Sequence, residues 1–136
     1  MKTDDIKIIN RDSDLSPEDM SAVERLPVSV VLDNLRSAFN VGSIIRTADC
    51  ALLEKVIPCG ITAHPPHRKL EKTSMGSLDY VDVEYYDSAL QAVRRFREKN
   101  VPVIAMELTD KSCSVWEYDF PLPAALVFGN EALGIS

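Results

Sequence analysis

Five short segments rich in apolar residues recur along the chain, separated by longer stretches of mixed character. Four are almost continuously apolar, which is typical of strands buried on both faces of a parallel sheet, and the third alternates between apolar and polar residues. Pro58, inside the second segment, indicates a strand that is irregular or near a sheet edge. We predict that each segment forms a strand. The segments are 28–32, 56–59, 81–86, 101–106 and 124–128.

Between the strands, the spacing of apolar residues changes to that of a helix. From Asn40 onward they fall on one helical stripe, which predicts a helix packed on the core, and Arg46 lies off that stripe on the polar or ligand-facing side. Asp87 is positioned to cap a second helix over 88–99, and Asn100 to end it. The first stripe comprises Val41, Ile44, Ile45, Ala48 and Leu52, and the expected core contacts of the second helix are Leu90, Val93 and Phe96.

The amino-terminal part of the chain is polar. Ser16 offers a helix cap followed by Pro17 and two acidic residues, which predicts a short helix to about Arg25. We therefore divide the chain into this segment, 1–27, and a domain that spans 28–136. Because strands alternate with helices, we predict an α/β fold with a mostly parallel sheet flanked by helices.

The composition is that of one globular domain, with 136 residues of which 46% are hydrophobic and 26% are charged. No apolar run is long enough to span a bilayer, and the start has no signal-peptide pattern, so we expect a cytoplasmic protein. The three cysteines have no C-x-x-C spacing, and His64-Pro-Pro-His67 has no partner motif, so we expect free thiols and no metal site.

The net charge of −6 argues against a simple nucleic-acid binder but leaves room for a local basic patch. Positive charge is clustered at 67–72 and 94–99. The first cluster falls within 60–77, a segment whose prolines and histidines predict a long functional or mobile loop. Near the last strand, Trp116 and Tyr118 are predicted to be packing anchors.

Two motifs carry candidate chemistry. N-L-R-S-A-F-N-V-G-S-I-I-R-T-A occupies 34–48, and G-N-E-A-L-G-I-S at 129–136 follows an apolar strand directly. A glycine after a strand lets the backbone approach a ligand that a side chain would keep away. Together the two segments resemble motifs 1 and 2 of the SpoU (TrmH-like) branch of the SPOUT RNA methyltransferases.

The resemblance implies transfer of a methyl group from S-adenosyl-L-methionine to a ribose 2′-hydroxyl of tRNA or rRNA. It also implies an α/β-knot fold with a trefoil knot, and a homodimer. The family's third motif, a proline-led segment with S-x-N, would follow position 136, so we expect 28–136 to be a C-terminally truncated methyltransferase domain with an incomplete knot. Two alternatives stay open: a non-catalytic module of this fold that binds RNA or a partner, and an inactive fragment. Dinucleotide-binding and P-loop folds are excluded, because the turn after the first strand lacks their glycine signatures.

By the same resemblance, Asn40, Arg46 and Glu131 are the catalytic residues. Since a guanidinium is very hard to deprotonate, we expect Arg46 to hold a substrate phosphate and stabilise developing alkoxide charge. Asn40 is expected to fix its turn, cap the helix or bond Glu131, and Glu131 to pair with Arg46. Read singly, the three would be a solvated arginine, an N-cap and a first-turn acid.

The resemblance further implies residues for ligand contact. Gly129 and Asn130 are expected at the methionine part of the cofactor, and Glu107 and Leu108 on its adenine side, with core packing as the alternative for Leu108. For the basic residues within 60–77, the alternative to RNA contact is that their side chains are simply solvated. The candidate RNA-binding residues are Arg36, Arg46, Arg68, Lys69 and Lys72.

Overall fold

Five parallel strands form one sheet in the computed structural model, which describes residues 15–136. The strand order is β3-β2-β1-β5-β4, and every neighbouring pair runs parallel. This confirms the predicted α/β class, whereas the trefoil knot and the boundary at 27/28 stay predictions. The strands are β1 Leu26–Asp33, β2 Leu53–Cys59, β3 Asp82–Val83, β4 Val103–Met106 and β5 Ala124–Phe128.

Helices lie on both faces of the sheet. Ser16 caps the first helix with a capping box in which Asp19 is the reciprocal partner, and this helix ends at Ser21, short of the predicted Arg25. The first 14 residues of the predicted polar segment lie outside the described residues. The helices are α1 Pro17–Ser21, α2 Ala38–Cys50, α3 Arg68–Thr73 and α4 Ala89–Glu98, with a 3-10 helix at Ser77–Asp79.

The core is split into two layers by the sheet. Val30 and Leu32 of β1 face α2 and α3, while Val31 between them faces α4. Because successive side chains of a strand point to opposite faces, a strand covered on both sides is mostly apolar, as the Val30-Val31-Leu32 run of β1 is. The layer under α2 and α3 comprises Val30, Leu32, Leu35, Val41, Ile45, Ala48, Val56, Leu70 and Val81. The layer under α4 comprises Val31, Ile57, Cys59, Ala89, Ala92 and Val127.

The predicted apolar stripe of α2 is largely confirmed. Val41, Ile45 and Ala48 are buried and Ile44 is half-buried. Leu52 is an exception, since it follows the helix in a left-handed conformation with φ 54°. The helix also begins earlier than predicted, because Ser37 supplies the capping oxygen for Asn40 N.

Two predictions about α4 are wrong. Its cap is Ser88, whose side chain accepts from Gln91 N, and not Asp87. Leu90 is 57% exposed, because Ala89 and Ala92 occupy the buried side that was assigned to it. Asn100 does end the helix, in a left-handed conformation that suits asparagine.

Two predictions about the chain between β1 and β3 have different outcomes. Pro58 was predicted to mark an irregular strand or one near a sheet edge, and β2 does lie next to the edge strand β3. Pro58 pairs with Leu32 of β1 on one side, and on the other its carbonyl accepts from Tyr86 N, beyond the end of the two-residue β3. The prediction that segment 60–77 is a loop is wrong, since Leu70 anchors α3 in the core.

Gly42 permits the close packing of α2 against α3. A Cβ at this position would overlap the side chain of Thr73. We therefore expect Gly42→Ala to lower the free energy of unfolding by about 1–3 kcal/mol through overpacking. Urea denaturation of both proteins checks this, with Ser43→Ala on the exposed face of α2 as the control. Equal stability of Gly42→Ala and the parent chain would show that α2 and α3 can move apart without a loss of stability.

Candidate active site

The two sequence motifs meet because the strands that precede them are neighbours. β1 and β5 pair in parallel, with Leu32 opposite Phe128, so both chains leave the sheet at the same edge. The chain after β1 turns into α2, and the chain after β5 forms the segment 129–136, named here the carboxyl-edge loop. In parallel α/β sheets, ligands bind at this edge, where connecting loops converge.

Glu131 joins the two motifs. Its carboxylate accepts hydrogen bonds from Arg36 N at 3.0 Å, Ser37 N at 3.2 Å and Asn40 Nδ2 at 3.2 Å. The hydrogen bond from Arg36 N, with others from the loop backbone and Asn40, lowers the pKa of Glu131 to about 2. The predicted Asn40–Glu131 bond is therefore confirmed, and the carboxylate stays ionised at the amino end of α2, where a negative charge is favourable.

Arg46 is not the partner of Glu131. Among residues 15–136, no ion pair involves the Arg46 guanidinium, which lies on the exposed side of α2. The predicted Glu131–Arg46 pair is wrong, because the backbone donors at the start of α2 already use the carboxylate. Within residues 15–136, the Arg46 guanidinium therefore has no ion-pair partner, and its donors can bind a ligand.

Asn130 shapes the carboxyl-edge loop from within. Its Nδ2 donates to Asn34 O at 2.7 Å, and its Oδ1 accepts from Ala132 N at 2.9 Å and Leu133 N at 3.0 Å. Asn130 and Gly134 also exchange two backbone hydrogen bonds, at 2.9 and 3.0 Å. These bonds use both the amide nitrogen and the amide oxygen of the Asn130 side chain to shape the loop. The contact of Asn130 with a cofactor stays a prediction.

Gly129 has a steric reason to be glycine. A Cβ here would overlap backbone atoms of Gly134 and Ile135, where the loop folds back against its own start. The need for glycine at this position thus comes from packing within the loop itself. The predicted contact of Gly129 with a cofactor stays a prediction.

Two carboxylates hold the far end of the loop. Glu107, just after β4, accepts from Leu108 N and from Ile135 N, both at 3.1 Å. Asp33, the last residue of β1, is 1% exposed and accepts from Ser136 N at 2.7 Å and from Asn34 Nδ2 at 3.0 Å. Sequence reasoning missed Asp33, although an acidic residue that ends an apolar strand beside a motif is a usable signal.

Leu108 is not a core residue. Its side chain is 93% exposed at the carboxyl end of β4, which excludes the core-packing alternative. Leu133, in the carboxyl-edge loop, is also largely exposed.

Trp116 and Tyr118 were predicted to be packing anchors. The prediction is wrong for Trp116, whose side chain is exposed. Tyr118 is partly exposed and packs edge-on against Phe120.

The predicted RNA-binding cations fall in two places. Arg36 and Lys69 line one cleft of about 610 Å³ between the start of α2 and the segment before α3. Arg68 and Lys72 are exposed on α3, outside the lining of this cleft.

His64, one of the two histidines, stacks on Tyr85 with ring centroids 3.9 Å apart. No group of three or more histidine, cysteine, aspartate or glutamate side chains within residues 15–136 is arranged to hold a metal ion.

Comparison with known proteins identifies this arrangement. The model of the SpoU rRNA methylase family matches residues 27–136, which is most of the chain and includes both motifs. The chain belongs to the SpoU rRNA methylase family. The SpoU match begins one residue after the start of β1 and runs through the carboxyl-edge loop.

Individual members of the family support the assignment. The chain is 31% identical over 123 residues to a 23S rRNA (uridine(2479)-2′-O)-methyltransferase of Streptomyces viridochromogenes, covering 84% of this chain and 43% of that protein. It is 28% identical over 110 residues to a tRNA (guanosine(18)-2′-O)-methyltransferase of Aquifex aeolicus, covering 79% and 50%. The chain thus spans about half the length of these curated relatives.

A solved SpoU-type structure has the same fold. The chain superposes on an AdoMet-bound rRNA methyltransferase from Sinorhizobium meliloti with a TM-score of 0.74 and 28% identity, covering 86% of this chain and 45% of that one. It also superposes on the TrmH/SpoU tRNA modifying enzyme of Aquifex aeolicus with a TM-score of 0.72 and 25% identity, covering 88% and 62%.

The low pKa of Glu131 gives this SpoU domain a defined acid sensitivity. A carboxyl whose pKa is depressed on folding stabilises the protein above its ordinary pKa, near 4.5, and that stabilisation is lost as the pH falls toward about 2. We expect Glu131→Gln to lower the free energy of unfolding at neutral pH by roughly 1 kcal/mol, allowing for solvent screening.

Urea denaturation across this pH range tests the expectation. The difference between the parent chain and Glu131→Gln should shrink as the pH falls from about 4.5 to about 2. Glu54→Gln, at an exposed position of β2, is the control and should follow the parent chain. A difference that stays constant with pH would contradict an ionised clamp.

Proposed function

We propose that this chain transfers a methyl group from S-adenosyl-L-methionine to a ribose 2′-hydroxyl of tRNA or rRNA. The observation that carries the proposal is the junction made by Glu131. It fixes the start of α2, and with it the helix that bears Arg46, against the carboxyl-edge loop. The methyltransferases named above support the same activity and the same two classes of RNA.

The residues at the carboxyl edge fit this cofactor. Leu108 and Leu133 expose apolar side chains there, and the Glu107 carboxylate lies between the two segments that carry them. An apolar surface beside a carboxylate suits adenosine, which has a flat base to cover and ribose hydroxyls to donate. Glu107, Leu108, Gly129 and the backbone after Asn130 would hold the cofactor, which supplies an electrophilic methyl group when bound.

The protein's own contribution is orientation and charge. Arg46 holds an RNA phosphate, so that the attacking oxygen is fixed and the negative charge that develops on it is stabilised. The 2′-hydroxyl proton leaves to water or to a phosphate oxygen, since a guanidinium cannot accept it. Asn40 and Glu131 act as positioning residues, because their side chains bond each other and Glu131 also accepts from the backbone before α2.

We also propose a cytoplasmic enzyme that works as a homodimer. Among the described residues, no helix has both the length and the apolar character needed to cross a membrane.

On the α2 side of the sheet, an apolar recess of about 220 Å³ lined by Val30, Ile44, Leu126 and Phe128 supports the proposed dimer, because it could pack against a second apolar surface. Sedimentation equilibrium of the chain tests the dimer directly.

Calorimetry and a transfer assay test the activity. S-adenosyl-L-methionine should bind the chain saturably with a stoichiometry of one, and a labelled methyl group should appear as 2′-O-methylribose in digested tRNA or rRNA. RNA binding without transfer would favour a non-catalytic module. Absence of cofactor binding by the folded chain would contradict the proposed function.

A further inference from the structure

The cleft lined by Arg36 and Lys69 lies beside the proposed methyl-transfer site. It lies between residues 36–39, which start α2, and residues 60–69, which lead into α3, and has a volume of about 610 Å³. We name it the loop cleft. Its size is that of a site for a small ligand or a single residue of a polymer.

Both walls of the loop cleft are held in place. Asn34 Oδ1 accepts from Ile61 N at 3.1 Å, which ties the chain after β1 to the chain after β2. The buried Thr62 hydroxyl accepts from Leu35 N at 2.9 Å and donates to Leu32 O at 3.0 Å. The cleft therefore exists before a ligand arrives, and little ordering is needed for binding.

The charge of the loop cleft is positive although the chain is acidic. Arg36 and Lys69 line it, neither forms an ion pair with any residue in 15–136, and no aspartate or glutamate is among its lining residues. Two cations facing one cleft in a chain of net charge −6 favour an anion such as phosphate.

The loop cleft also has an apolar part and a polar group of His67. Phe39 is 67% exposed and Ile61 is 69% exposed, so both leave a large apolar surface in water. His67 Nδ1 is buried without a hydrogen-bonding partner among the described residues. An aromatic face, a polar group and two cations together match a nucleotide, whose base stacks while its phosphate is neutralised.

The position of Phe39 relates the cleft to the transfer site. Phe39 and Arg46 are seven residues apart on α2, which places them on one helix face about 10 Å apart along the axis. An RNA strand that lies along this exposed face would meet both residues.

We propose that the loop cleft binds an unpaired nucleotide that flanks the methylated one, with its base on Phe39 and its phosphate between Arg36 and Lys69. This inference rests on the proposed function, and it restricts the substrate to RNA that is unpaired beside the target. A paired base could not leave its stack to reach Phe39 without added cost.

Fluorescence anisotropy with labelled oligouridine and with an abasic strand of equal length tests the proposal. We expect Phe39→Ala to weaken binding of oligouridine by about 5- to 150-fold, which is the range for loss of one base stack, and to leave the abasic strand unaffected. Phe39→Trp should restore the affinity. Leu90→Ala removes an exposed apolar side chain from α4, on the opposite face of the sheet, and is the matched control.

The phosphate contacts have their own readout. Arg36→Gln and Lys69→Gln should weaken both strands equally and reduce the slope of log affinity against log salt by about 0.7 each. Equal loss on both strands in Phe39→Ala, no loss at all, or no binding of oligouridine by the parent chain would overturn the proposal.

The outcomes also separate the two proposals. Phe39-dependent RNA binding without methyl transfer would defeat the proposed function and leave the loop cleft as an RNA site. Methyl transfer that is insensitive to Phe39→Ala would defeat the loop cleft alone.

Discussion

Replacing Arg46 with alanine should lower the rate of methyl transfer to RNA by about 100- to 1,000-fold, the usual cost of removing one group that stabilises transition-state charge. The affinity for S-adenosyl-L-methionine should change by no more than about twofold, because the loss concerns the RNA side of the reaction. Single-turnover transfer and calorimetry on the same preparation measure the two quantities. The variant should fold normally, since the guanidinium is exposed and has no ion pair within residues 15–136.

Two further variants distinguish geometry from charge. Arg46→Lys keeps the positive charge but loses the planar fork that binds a phosphate through two hydrogen bonds, so an intermediate rate is expected. Arg94→Ala removes another exposed arginine, from α4, and should leave the rate unchanged. If Arg46→Ala retained roughly a third of the parent rate or more, Arg46 would have to be reassigned to the protein surface.

The parts of the fold that were predictable are those set by burial on both faces of the sheet. The predicted segment 124–128 coincides with β5, and 28–32 lies inside β1, because a strand covered by helices on each side admits few polar residues. The stripe of Val41, Ile45 and Ala48 was visible for the same reason on one side of α2.

Local competition between similar groups was not predictable. Asp87 and Ser88 are both good helix caps, and which of them is used depends on where the chain leaves the sheet. Likewise, Glu131 was equally able to meet an arginine or a set of amide donors. The structure brings the amides of Arg36 and Ser37 closer, since α2 starts at the edge where the loop after β5 arrives.

We expect Gly129→Ala to disrupt the carboxyl-edge loop, where the proposed cofactor site lies. The added Cβ would overlap backbone atoms of Gly134 and Ile135, and a backbone cannot turn aside as a side chain can. The carboxyl-edge loop must therefore open, which would break the Asn130–Gly134 hydrogen bonds and pull Glu131 away from α2. We expect a loss of about 1–3 kcal/mol in the free energy of unfolding from overpacking.

The expected functional cost is larger than that loss of stability. Affinity for S-adenosyl-L-methionine should fall by more than about tenfold, because a loose loop must be ordered again before it can bind. Gly76→Ala is the matched control: it meets open space at φ +89°, so it strains a turn far from the loop. It should cost about 1 kcal/mol of stability and leave cofactor affinity unchanged. Calorimetry on both variants decides the matter, since normal binding by Gly129→Ala would mean that the cofactor site does not depend on this fold of the loop.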